Sequence, residues 1–132
     1  MLLTLDFFIG LGIWSVCDWR SQSVPACPFE VWCGLTIIAQ LATGSLWWPP
    51  VVWFIGAYLL VWQHWLGSAD AWLLAVLASR FPTAAMLWLL LCACITGLAY
   101  GLISHHHDLP WLPHLALAAV VCSLIPSSWL VL

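Results

Sequence analysis

The sequence predicts an all-α fold: a polytopic integral membrane protein with about six transmembrane helices in a single bundle. Three observations predict it. The chain is 65% hydrophobic and 5% charged, with a mean hydropathy of +1.08, whereas soluble domains carry about 25% charged residues. Its apolar runs have helical length and are separated by Pro, Gly, Ser or charge. None of the runs alternates with period two, which argues against barrel strands. A tilted spanning helix takes about 20 residues, so the 132 residues fit one transmembrane domain, 1–132, with short loops.

The first run is Leu2 to Cys17. Met1-Leu2-Leu3-Thr4-Leu5-Asp6 lacks the basic start of a cleavable signal and reads as the beginning of a retained helix. Asp18-Trp19-Arg20-Ser21-Gln22-Ser23-Val24-Pro25 interrupts the run. The second run covers Pro28 to Thr43, and Gly44-Ser45 with Trp47-Trp48-Pro49-Pro50 forms the next turn. The third covers Val51 to Trp65. Gly67-Ser68-Ala69-Asp70 then opens a short fourth run, Ala71 to Ala78. At 1.5 Å per residue that run cannot cross a hydrocarbon core about 30 Å thick, so neighbours must shield it. Arg80-Phe81-Pro82 precedes the fifth run, Thr83 to Ile103. His105-His106-His107-Asp108-Leu109-Pro110 is the last loop, and Leu112 to Leu132 the sixth run.

Parity places the charges. Asp18 follows the first helix and Asp70 the third, so a chain that crosses back and forth returns both to one membrane face. The His105–Asp108 loop falls on that face as well, and Arg80 on the opposite one. Tryptophans account for 12 residues. Trp47, Trp48 and Trp53 at one edge, and Trp19, Trp62 and Trp65 at the other, fit aromatic belts at the headgroup level.

Composition excludes several functions. Arg20 and Arg80 are the only basic residues apart from histidine, so no basic patch for nucleic acid exists. The six cysteines include no CxxC pair, which leaves zinc spacing unmet and reads as small buried hydrophobes. Adjacent histidines in a loop point in different directions, so the His105–His107 stretch reads as a solvated loop. No metal and no other cofactor are expected. The serines lack a Ser-His-Asp context, and no cysteine has an activating partner.

Asp18 and Asp70 are what remain. A charge beside the hydrocarbon core is costly, so an ionisable residue there marks a functional site. Two carboxylates across a small gap share one proton. The ionised member can take a proton from water while the protonated one polarises a peptide carbonyl. That division of labour is what peptide hydrolysis requires. The same acids would also serve a non-enzymatic membrane subunit or a small transporter that binds ions or protons. Transport sites tend to lie at mid-membrane, and these two lie at segment ends. Glu30, near the start of the second helix on the Asp18 side, could favour the helix dipole or meet basic residues of a substrate. Gly97-x-x-x-Gly101 suits close helix packing, within the chain or in a homo-oligomer.

These residues resemble a known family. Asp18-x-Arg20-x-x-x-Val24-Pro25 is similar to the first signature of the type IV prepilin peptidases. Gly67-Ser68-Ala69-Asp70, followed by an apolar helix, resembles their Gly-x-Gly-Asp motif. Pro110-Trp111-Leu112-Pro113 resembles their closing Pro-x-x-Pro segment before the last helix. The three occur in the family's order. The resemblance implies a membrane aspartyl endopeptidase of the bacterial inner membrane. It would cut the basic leader of type IV prepilins or pseudopilins at the cytoplasmic face. Asp18 and Asp70 would be the catalytic pair, with Arg20, Pro25, Glu30, Gly67, Ala69, Pro110 and Pro113 supporting. The chain departs from the pattern at Ala69, where the motif has its second glycine, and at Trp72, where lysine is frequent. Ala26 follows Pro25 where asparagine or aspartate is usual. The cysteine-rich insert of larger members, which goes with N-methylation, is missing from this sequence.

Overall fold

The computed structural model describes residues 2–104 and 110–124. Within them the chain forms six α-helices: α1 Leu2–Ser21, α2 Ala26–Ala42, α3 Trp48–Trp62, α4 Ser68–Ala78, α5 Thr83–Ser104 and α6 Trp111–Leu124. Each expected run becomes a helix, with differences at the ends. α1 continues past Cys17 to Ser21, because nothing between Asp18 and Ser21 breaks a helix and the Gln22 N–H still bonds the Asp18 carbonyl at 2.8 Å. Pro25 stands at the N-cap of α2, with extended backbone. α3 absorbs Trp48, Pro49 and Pro50 from the expected turn, since proline is tolerated where a first-turn N–H has no partner. It ends at Trp62, before a turn in which His64 adopts a positive φ of 61°. The His105–Asp108 loop and the sixth run beyond Leu124 lie outside the described residues.

α4 is the centre of the molecule. Eight of its 11 residues are buried: Asp70, Ala71 and Leu73–Ala78. It packs most extensively on α3, and also meets α2, α5 and α6, while α6 bridges α1 and α5. The short fourth run is therefore shielded on all sides, as its length demands. Leu73, Val76 and Leu77 are fully enclosed with Met86 and Leu89 of α5 and Leu115 of α6. An aromatic cluster of Phe7, Trp14, Phe29 and Trp32 joins α1 to α2.

The outside is apolar too. Ile13, Leu35, Ile38, Ile55, Leu98 and Ile103 are each more than half exposed, a surface that suits hydrocarbon better than water. Among the described residues α5 is the one helix long and apolar enough to cross a membrane; α2, α3, α4 and α6 are shorter apolar helices of 10–17 residues. The expectation of about six transmembrane helices thus meets six helices, of which α5 alone among the described residues combines spanning length with spanning hydropathy.

Candidate active site

Asp18 sits in the last turn of α1 and Asp70 in the first turn of α4, both outside the apolar stretches Leu2–Cys17 and Ala71–Ala78. The fold brings them to one open cavity of about 440 Å³. α1 and the turn after it contribute Asp18, Gln22, Ser23 and Val24 to its wall. The α3–α4 connection and the start of α4 contribute Trp65 to Asp70, and α6 contributes Trp111 and Leu112. The expectation from parity, that the two acids face the same side, matches this placement.

Asp70 is held by its own helix start. It occupies the third helical position rather than the N-cap, which is Gly67. Its Oδ2 accepts the Gly67 N–H at 3.2 Å, satisfying one donor that the helix start leaves open. The residue is 8% exposed. Burial pushes its pKa from 3.8 up to about 6; the Gly67 N–H opposes that shift, and the nearby charge of Asp18 adds to it. Asp18 is half-buried. Burial raises it also, against the backbone N–H of Leu112, which donates to its Oδ2 at 3.2 Å. The two carboxyls share one cavity wall, the charge of Asp18 raises Asp70, and Asp70 is the more deeply buried of the two.

Of the supporting residues expected from the sequence, Gly67 and Ala69 line the cavity beside the acids. Ala69 lies inside α4 and is not among the residues with positive φ, so alanine replaces the motif's second glycine without strain. Arg20, Pro25 and Glu30 are exposed and lie outside the cavity wall. Pro110 is buried immediately before α6, and Pro113 stands in the first turn of that helix. Trp72 turns away from the cavity and packs on Phe54 of α3, with ring centroids 4.8 Å apart. A lysine in its place would not face the acids by this backbone path. Among the described residues no three of His, Cys, Asp and Glu cluster as a metal set.

Sequence reasoning missed the indoles of Trp65 and Trp111 and the backbone of Leu112. Trp65 and Trp111 border the polar cavity and also an apolar groove of about 540 Å³ that opens from it, with Asp70 and Leu66 shared between the two. Val52, Trp53, Gly56, Ala57 and Leu60 of α3, Leu74 of α4, Leu90 of α5 and Leu115 of α6 form the rest of that groove. A polar pocket with two acids thus continues into an apolar trough along the helices.

A family model described as the type IV leader peptidase family matches residues 5–102, which includes both aspartates. No significant match to a curated protein or to a solved structure accompanies it. On a match over most of its length, the chain belongs to the type IV leader peptidase family.

Proposed function

We propose that this chain is a membrane-embedded aspartic endopeptidase. It cleaves the leader of type IV prepilins or pseudopilins at the cytoplasmic face of the bacterial inner membrane, and its six helices make one multi-pass domain. Family membership supports the substrate class. The observation that carries the catalytic reading is the convergence of Asp18 and Asp70 on one open cavity from distant parts of the chain.

The chemistry follows from the environments of the two acids. Asp70, the more deeply buried of the two, holds the proton that the pair shares. Asp18 is the base. Asp18 takes a proton from water as the water oxygen adds to the scissile carbonyl, and Asp70 passes its proton to the carbonyl oxygen. In the breakdown step Asp18 returns its proton to the leaving amine. Asp70 recovers one from the tetrahedral diol as the C–N bond breaks. Both acids end as they began, and no group outside the chain is consumed except water. The apolar groove beside Asp70 accommodates the hydrophobic helix of the substrate, which enters from the bilayer and presents its leader at the polar end.

Co-expression with a tagged prepilin tests the reading. Asp18→Asn and Asp70→Asn each abolish leader removal while the protein stays in the membrane fraction. Normal cleavage by either single variant rejects the dyad.

A further inference from the structure

An α-helix begins with four backbone N–H groups that have no partner within the helix. In most helices a Ser, Thr, Asp or Asn at the N-cap satisfies one of them. α6 is built differently. Pro110 precedes it and Pro113 sits in its first turn, and proline has no N–H. Two donors remain, those of Trp111 and Leu112. The Leu112 N–H donates to Asp18 Oδ2 at 3.2 Å, across 94 residues of chain. The cap of α6 is thus a carboxylate borrowed from α1. Leu112 is 2% exposed and Pro110 is buried, so the helix start is seated in the core rather than trailing from a loop.

We propose that the start of α6 is a positioning element for Asp18, in which the Leu112 N–H fixes its carboxylate toward Asp70 and the Pro110-x-x-Pro113 frame keeps that donor from other use. A helix N-terminus favours an anion, and a charge-assisted hydrogen bond is stronger than a neutral one. The contact therefore orients Asp18 and favours its ionised form. It gives the proline pair a physical role that spacing alone does not reveal. α6 lies beyond residues 5–102, the part matched by the family model, so this role stands on the contact itself. It bears on catalysis only through the peptidase reading above.

Among the described residues the groups around Asp18 are few. Asp70 of α4 faces it across the cavity. Arg20, on the same helix, is exposed, and among the described residues no cation pairs with Asp18. Glu30 of α2 is exposed and lies outside the cavity wall. His114 of α6 packs on Tyr100, with ring centroids 5.6 Å apart.

Infrared titration of the full-length protein in detergent tests the proposal, with the Asp18 carboxyl band assigned by its loss in Asp18→Asn. Leu112→Pro deletes the N–H at a first-turn position that tolerates proline, and the Asp18 midpoint rises by about one pH unit. Leu112→Ala keeps the N–H and leaves the midpoint where it is. No rise in Leu112→Pro, or an equal rise in both variants, overturns the proposal. Should Leu112→Pro fail to accumulate in the membrane, amide exchange decides. The Leu112 amide is protected in the wild type and in Asp18→Asn, which keeps an acceptor oxygen, and exchanges about tenfold faster in Asp18→Ala. Equal exchange in all three overturns it. Neither readout uses cleavage. A chain that shows the shift but cuts no prepilin would refute the peptidase reading and leave the α6 contact standing.

Discussion

The Gly67 N–H donates to Asp70 Oδ2 at 3.2 Å, and a Cβ placed on Gly67 would meet that same oxygen at 3.1 Å. Glycine is required here for close approach and not for backbone freedom, since Gly67 has an ordinary extended conformation at φ −76°, ψ 150°. Gly67→Ala therefore pushes the carboxylate by a few tenths of an ångström. Small misplacements of a catalytic group are costly, so cleavage of a tagged prepilin falls on the order of tenfold. The fall is in kcat, with the variant still folded in the membrane. Wild-type kcat in Gly67→Ala would show that the Gly67–Asp70 contact is not needed for catalysis.

Asp70 makes stability depend on pH. Burial first, and the charge of Asp18 last, raise its pKa from 3.8 to about 6 in the folded protein, against the Gly67 N–H. The native state binds this proton more tightly than the unfolded chain does. Its contribution to stability is full below 3.8 and is lost as pH rises through about 6. Asp18, raised by burial against the Leu112 N–H, works in the same direction. Asp70→Asn keeps an acceptor for Gly67 and has no charge to bury. Thermal unfolding in detergent from about pH 4 to about pH 7 thus shows the wild type losing stability that the variant keeps. Above about pH 6 the variant is the more stable, by on the order of 3 kcal/mol at most. Parallel curves for the two proteins would mean that Asp70 binds its proton no more tightly in the folded protein than in the unfolded chain.

Much of this architecture is written in local composition. Proline, glycine and charge interrupt apolar runs, and every interrupted run is a helix; α5 at Thr83–Ser104 differs from its expected run by one residue. Asp18 and Asp70 are legible because a carboxylate is rare and expensive in such a chain. Counting crossings predicts them on one face, and the fold brings them to one cavity. The remainder is harder to read for a physical reason. Leu112 serves Asp18 through its backbone N–H, and a main-chain donor leaves no mark on side-chain identity. Trp65 looks like a belt residue in the sequence and Trp111 like a spacer between two prolines, and only the packing of four helices makes them walls of a groove. Arg20 and Glu30 carry charge beside the motifs, yet they point outside the cavity because the helix turns them there.

The apolar groove can be obstructed without touching the core. Gly56 lies on α3, is exposed, lines the groove, and has no atom within 4 Å of where a Cβ would sit. Gly56→Leu fills that space and replaces a poor helix former with a good one. The expected result is a KM for the prepilin at least about tenfold higher, since a side chain in the trough competes with the substrate helix. Thermal stability is unchanged or slightly higher. A KM equal to that of the wild type would send the substrate along another face of the molecule.

Gly10 carries the opposite prediction. It is buried on α1 where the Trp32 indole of α2 lies across it, and a Cβ there would collide with Nε1, Cε2 and Cζ2 of the ring. The indole is held in turn by Phe7, stacked at 6.2 Å, and by Phe29 at 6.1 Å, so it has little room to retreat. Overpacking of this kind costs about 1–3 kcal/mol, and Gly10→Ala lowers the thermal midpoint of the detergent-solubilised protein accordingly. Gly34 of α2 provides the contrast, because nothing lies within 4 Å of its Cβ position. There the helical gain of alanine over glycine, about 0.5–1 kcal/mol, is left unopposed and Gly34→Ala raises the midpoint. The sign difference between the two variants measures whether α1 and α2 meet through the Gly10–Trp32 contact, since equal shifts would show the indole free to move aside.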